Sequence, residues 1–136
     1  MLIVVVYTIF TTTISNHMRK LDFASLQVRD LEISKDFYTS KLGFEIAVVN
    51  PAACIFKYNE GEASFAIRKP LVDLTGKEPG IGVSLWFAID GDIEELQTTL
   101  TEREVPLLGP ISNTPFGRIL IVKDPDGYHI TFLQPN

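Results

Sequence analysis

Apolar and polar positions near the C-terminus predict two strands joined by a tight turn. The stretch over 114–135, TPFGRILIVKDPDGYHITFLQP, holds an apolar run at 118–123 and an alternating run at 128–133. Between the runs, Pro125 presets φ at the second turn position, and Gly127 supplies a conformation that a Cβ would resist. Strands this apolar predict a sheet and covering helices, because they are not stable alone in water.

The rest of the chain predicts one arrangement, strand-helix-strand-strand-strand, in two copies. The first helix is predicted over 31–42, with Asp30 as its N-cap and Gly43 just after its end. The strands of this copy are predicted over 21–28, 44–49, 52–58 and 62–68. In the second copy a helix is predicted over 92–104, with strands over 81–89, 105–112, 118–123 and 128–133.

The predicted fold class is α+β, with two tandem βαβββ modules in a single domain of residues 18–136. Module 1 spans 20–68 and module 2 spans 81–136. The linker between them, 69–80, contains Pro and Gly and has little periodicity. Neither module covers its sheet alone, so we expect the two to pair with each other or across a dimer.

Residues 1–17 differ from the rest of the chain. The apolar run Leu2–Phe10 is shorter than the roughly 20 residues that a membrane-spanning helix needs. A signal peptide would need Lys or Arg before the apolar run, and neither residue precedes this one. We interpret the segment as a non-native upstream extension, with the domain starting at Met18. The alternative, which its β-branched content favours if it folds, is an added edge strand or a dimer arm.

Composition excludes several classes of function. The chain has 136 residues and a net charge of −5, without a basic stripe, so neither nucleic acid nor a membrane is expected as a partner. The single cysteine excludes an internal disulfide and a Cys-based zinc cluster. It is compatible with a reducing compartment, and we expect the protein to be cytoplasmic.

Two motifs resemble one known family. VRDLEISKDFYTSKLGFE at 28–45 and FGRILIVKDPDGYHI at 116–130 are similar to the first-module and C-terminal signatures of the vicinal-oxygen-chelate superfamily. That superfamily contains glyoxalase I, the extradiol dioxygenases, fosfomycin-resistance enzymes and the bleomycin-resistance proteins. The resemblance implies paired modules whose curved mixed sheets surround a cavity, with helices on the outer face. It also implies a homodimer.

The resemblance also predicts where a metal would lie. Most catalytic members hold one divalent ion with His or Glu side chains from four strand positions, which correspond here to Phe23, Ala66, Ser84 and Thr131. Phe and Ala have no donor atom, and neutral hydroxyls are poor ligands for Zn, Ni, Fe or Mn. We therefore expect no metal and no cofactor. The assignments at Ala66 and Ser84 depend on strand register, and a slip of one residue would turn the side chain to the other face.

Strand alternation predicts which side chains face the cavity. Two large aromatic residues, small hydroxyls, an amide and basic groups are typical of a ligand pocket, which needs apolar walls and a few polar groups. The predicted ligand-binding residues are Phe23, Ser25, Gln27, Arg68, Ser84, Trp86, Phe116, Arg118, His129 and Thr131.

Each of these side chains also has a simpler interpretation. Trp86 is either a core residue or a ligand platform, and Phe23 either fills the vacant metal position or lines the pocket. Arg68 and Arg118 either bind an anionic ligand group or are solvated. Cys54, on an apolar strand, is expected to be a buried, inert thiol.

Three functions remain open from the sequence. The favoured one is a metal-independent protein of the bleomycin-resistance type, which binds or sequesters a small apolar or aromatic molecule in the inter-module or dimer-interface cavity. The second is a metal-dependent lyase, isomerase or dioxygenase with a non-standard site, for which His129 and Glu62 are weak catalytic candidates. The third is a dimeric interaction module without a ligand.

Overall fold

The computed structural model describes residues 18–136, so the predictions for residues 1–17 lie outside the described residues. The strands are β1 Phe23–Gln27, β2 Ile46–Asn50, β3 Ala53–Phe56, β4 Ser64–Arg68, β5 Ser84–Ala88, β6 Ser112–Thr114, β7 Gly117–Lys123 and β8 His129–Pro135. The helices are α1 Leu31–Asp36, which continues as a π-helical turn over Phe37–Lys41, and α2 Ile93–Glu102.

The strands form two four-stranded mixed sheets, one in each module. Sheet 1 has the order β1-β4-β3-β2, and sheet 2 has the order β5-β8-β7-β6. In both sheets the first and last strands of the module pair in parallel, and the remaining pairs are antiparallel. The predicted α+β fold of two βαβββ modules is therefore confirmed.

Both helices begin after an aspartate N-cap, of which Asp30 was predicted from the sequence. The Asp30 Oδ1 atom accepts a hydrogen bond from the Ile33 backbone N–H at 3.1 Å, and Asp92 caps α2 in the same way. Gly43 follows the π-helical turn with φ +85°, a conformation that favours glycine. The first helix therefore ends at the predicted place, although its second half is π-helical.

The strand predicted over 105–112 is wrong. Only an isolated bridge, from Leu107 to Val122, pairs this segment with β7, and the regular strand β6 begins at Ser112. Pro106 and Pro110 have no backbone N–H to donate to a neighbouring strand, which explains why the ladder does not extend through this segment.

One hydrophobic core joins the two modules. Phe44 and Phe65 of module 1 contact Phe87 of module 2, with ring centroids 4.8 and 5.1 Å apart. Buried residues from both helices belong to the same cluster. Within the described residues, no helix is long and apolar enough to span a membrane.

Hydrogen bonds also connect the modules at the turn between β7 and β8. Tyr38 Oη donates to Asp124 Oδ2 at 2.6 Å. The Asp126 carboxylate accepts from the Arg29 backbone N–H at 2.9 Å, from Arg29 Nε at 2.9 Å and from Ser34 Oγ at 3.2 Å. We call these five residues the turn network. The predicted tight turn therefore has a second role, because its two carboxylates attach module 2 to α1 and to the π-helical turn that continues it.

Candidate functional site

Each sheet has one face that packs in the core and one face that no helix covers. We call the uncovered side the open face. On sheet 1, Phe65 and Ile67 of β4 are in the core, so the alternating residues Ser64, Ala66 and Arg68 belong to the open face. On sheet 2, the same alternation assigns core and open faces along β5 and β8.

The open face of sheet 2 holds four of the predicted ligand-binding residues. Ser84 and Trp86 lie on β5, and His129 and Thr131 lie beside them on β8, in the register Ser84–His129 and Trp86–Thr131. The Ser84 and Thr131 hydroxyl oxygens are 3.4 Å apart. The alternation on β5 and β8 therefore places these four side chains together, as predicted from the sequence.

Phe116 completes an aromatic pair on this face. Its ring centroid lies 6.3 Å from that of Trp86, and the two rings are perpendicular, with an angle of 88° between their planes. Trp86 is 47% exposed and Phe116 is 67% exposed. Neither ring belongs to the core, so the platform interpretation of Trp86 fits the structure better than the core interpretation.

The side chains of sheet 1 that were predicted to face the cavity lie side by side on its open face. Phe23, Ser25 and Gln27 of β1 pair with Ser64, Ala66 and Arg68 of β4, respectively. Phe23 is partly exposed. Gln27 is already engaged, because its Oε1 atom accepts a hydrogen bond from the Leu71 backbone N–H at 2.7 Å. It therefore anchors the start of the linker.

Arg118 differs from the prediction. Its guanidinium forms an ion pair with Glu94 of α2, which lies on the covered side of sheet 2. The sequence contains the signal for this orientation, since Arg118 alternates in phase with the core residues Leu120 and Val122 on β7. Arg118 therefore supports the packing of α2 and does not belong to the open face.

An open cleft of about 510 Å³ lies between the two sheets. Module 2 contributes β5, including Ser84 and Trp86, and module 1 contributes Leu21, Glu62 and Ser64. This volume is within the range of small-molecule sites. Leu21 was not among the predicted ligand-binding residues, although it alternates in phase with Phe23 in the strand predicted over 21–28.

The side chains at the family's metal positions do not fit a divalent ion. Phe23 and Ala66 have no donor atom, and Ser84 and Thr131 offer neutral hydroxyls. Thr131 is only 1% exposed, so its hydroxyl is not accessible from the cleft. Across residues 18–136, no group of three or more His, Cys, Asp or Glu side chains is arranged to hold a metal.

The two weak catalytic candidates lie in different sheets. Glu62 accepts hydrogen bonds from the backbone N–H and the side-chain amide of Asn59, at 2.9 and 3.3 Å, so it caps the β3–β4 hairpin. His129 is exposed at the start of β8 on the open face of sheet 2. Glu62 lines the cleft between the two sheets, and His129 is not among the residues that line that cleft. The geometry gives no support to a shared acid–base pair.

Comparison with protein families gives one match. The model described as the Glyoxalase/Bleomycin resistance protein/Dioxygenase superfamily matches residues 20–132. Among curated proteins, no relative matches the chain.

Several solved structures are similar over most of their length. One is TnmS3, described as an antibiotic binding protein, from Streptomyces sp. CB03234, with 28% identity, a TM-score of 0.70, and coverage of 88% of this chain and 98% of that chain. A glyoxalase/bleomycin resistance protein from the same organism has 29% identity, a TM-score of 0.66, and coverage of 85% and 100%. A superfamily member from Sphaerobacter thermophilus has 30% identity, a TM-score of 0.64, and coverage of 86% and 98%.

Proposed function

Because the chain belongs to the glyoxalase/bleomycin resistance protein/dioxygenase superfamily, we propose that it binds and sequesters a small apolar or aromatic molecule without a metal. The ligand lies against the open faces of the two sheets. The similarity to TnmS3, an antibiotic binding protein, supports binding without chemistry.

The exposed aromatic pair carries this proposal. Trp86 and Phe116 present large apolar surfaces on a face that also offers hydroxyls. Exposed apolar groups of this size, next to a cleft, are typical of ligand sites and interfaces. The metal positions hold no donor set suited to an ion, so recognition depends on apolar contact and hydrogen bonding.

We also propose that a second copy of the chain completes the cavity. The edge strands β1 and β5 each have a partner on one side only. Free edges beside exposed apolar residues such as Leu21 and Trp86 favour association. Sedimentation velocity is expected to show a dimer at micromolar concentration, and a monomer at all concentrations would contradict this part of the proposal.

The test is a binding screen read by Trp86, the only tryptophan in the chain. Small aromatic compounds are expected to quench its fluorescence and to raise the melting temperature. A ligand at 100 times its Kd stabilises the folded state by about 2.7 kcal/mol. Zn²⁺, Ni²⁺, Mn²⁺ and Fe²⁺ are expected to leave the melting temperature unchanged.

A matched pair of variants distinguishes binding at this site from non-specific binding to exposed aromatic side chains. Trp86→Ala is expected to weaken aromatic binding at least about tenfold by calorimetry, since it removes most of the platform. Tyr58→Ala removes another exposed aromatic side chain, 56% exposed and outside the open-face pair, and is expected to have no effect. Stoichiometric metal that survives dialysis, or metal stabilisation without aromatic binding, would overturn the metal-independent proposal.

A further inference from the structure

The open face of sheet 2 combines an aromatic pair, an accessible hydroxyl on Ser84 beside Trp86, and almost no available charge. We infer that it selects a neutral, planar aromatic molecule that carries a hydroxyl or carbonyl oxygen. The rings lie on Trp86 and Phe116, and the oxygen is bonded to Ser84 Oγ. This inference rests on the proposed function and adds the chemical class of the ligand.

The perpendicular aromatic pair favours a flat ligand. Aromatic rings interact best as offset stacks or edge to face. Because the planes of Trp86 and Phe116 meet at 88°, a flat ring system that stacks on one ring meets the other at its edge. A bulky saturated molecule can bury apolar area there, but it can neither stack on one ring nor make an edge-to-face contact with the other.

Ser84 supplies the hydrogen bond. It lies two residues before Trp86 on the same face of β5, about 7 Å along the strand, so two fused rings on Trp86 place an edge substituent near it. The only hydrogen-bonding partner of the Ser84 side-chain hydroxyl in the described structure is the Thr131 hydroxyl, and at 3.4 Å that contact is long. A hydroxyl donates once and accepts twice, so Ser84 retains capacity for a ligand oxygen. Thr131 lies on the neighbouring strand β8 and is buried, so the Ser84 hydroxyl is the one of the two that a ligand can reach.

The charges around this face favour a neutral ligand. Lys123 is engaged by Glu78, with Nζ and Oε1 3.1 Å apart, and Arg118 is paired with Glu94 on the covered side. Among the described residues of the face, His129 is the only other basic side chain. An anionic ligand on sheet 2 would lose hydration without a dedicated cation on that face to compensate it. The remaining open-face cation, Arg68, lies on sheet 1, where its Nε donates to the Lys69 carbonyl oxygen at 3.1 Å.

Three probes of the same size test the inference at neutral pH. Naphthalene, 2-naphthol and 2-naphthoate differ only in carrying no oxygen, a neutral hydroxyl or a carboxylate. Calorimetry is expected to show that 2-naphthol binds about three- to tenfold more tightly than naphthalene, the effect of one hydrogen bond. We expect 2-naphthoate to bind no more tightly than naphthalene, and quenching of Trp86 fluorescence to report binding at this face.

Ser84→Ala is expected to reduce 2-naphthol affinity to that of naphthalene and to leave naphthalene affinity unchanged. The matched control is Ser40→Ala, an exposed serine on the π-helical turn, which is expected to change neither. A thermal melt checks that each variant is folded.

The contradicting outcomes are distinguishable. Equal affinity for naphthalene and 2-naphthol, with quenching by both, would overturn the oxygen-bearing class and leave the proposed function in place. If 2-naphthoate binds most tightly and Arg68→Ala abolishes that binding, the ligand is anionic and binds at sheet 1. That result would overturn the inference of a neutral ligand. If none of the three aromatic probes binds, the proposed function itself is contradicted.

Discussion

At the scale of single residues, buried polar groups are stabilised by specific partners from the other module. Asp124 is buried, and burial raises the pKa of its carboxyl although hydrogen bonds from Tyr38 and two backbone N–H groups lower it. Burial, followed by the charge of Asp124, raises the pKa of Tyr38, so the phenol remains a donor. Backbone N–H groups donate to Asp124 Oδ1, whereas Asp124 Oδ2 accepts its hydrogen bond from the Tyr38 side chain.

Tyr38→Phe is expected to lower the free energy of unfolding by about 1–3 kcal/mol, because it leaves the buried Asp124 carboxylate short of a donor. Urea denaturation followed by circular dichroism measures the change. Tyr58→Phe removes the hydroxyl of an exposed tyrosine and is expected to change stability by less than about 0.5 kcal/mol. Equal effects of the two substitutions would show that the Tyr38–Asp124 hydrogen bond contributes nothing specific.

At the scale of elements, the linker is fixed to the β7–β8 turn by close packing. A Cβ at Gly80 would lie 2.0 Å from the Tyr128 backbone nitrogen and 2.4 Å from the Gly127 carbonyl carbon. The Gly80 N–H donates to the Asp126 carbonyl oxygen at 2.9 Å. Together with the Gln27–Leu71 hydrogen bond, this contact holds both ends of the linker.

Gly80→Ala is therefore expected to destabilise the protein by about 1–3 kcal/mol, since only backbone atoms surround the added methyl group and they must move to admit it. Gly91→Ala is the matched control, because nothing lies within 4 Å of a Cβ at that position. We expect the control to stay within about 0.5 kcal/mol of the wild type in urea. If Gly80→Ala left the free energy of unfolding unchanged, the linker would not be packed against the turn.

At the scale of the whole molecule, we expect the shared core and the turn network to make the two modules unfold as one cooperative unit. Cys54 is fully buried in sheet 1, and burial raises the pKa of its thiol, so the reactive thiolate is scarce in the folded state. Trp86 reports on sheet 2. The two residues, each the only one of its type in the chain, therefore give independent probes of the two modules.

The urea midpoint for Cys54 labelling by a maleimide pulse is expected to coincide with the midpoint for Trp86 fluorescence, as two-state unfolding requires. Asp126→Ala removes the acceptor of Arg29 and Ser34 and is expected to lower both midpoints together. Separate midpoints in the wild type would contradict a common core, and labelling of the native protein at the rate of a free thiol would contradict the burial of Cys54.

Local patterns in the sequence determined the order of elements, the N-caps at Asp30 and Asp92, and the turn before β8, because these depend on neighbours within a few residues. The same alternation predicted the open face of sheet 2. The tertiary structure decided that Arg118 binds Glu94, that Gln27 binds the linker and that Thr131 is buried. It also placed β5 beside module 1 to form the cleft. The physical reason is that these contacts join residues distant in the chain, whose meeting depends on how the sheets and helices pack.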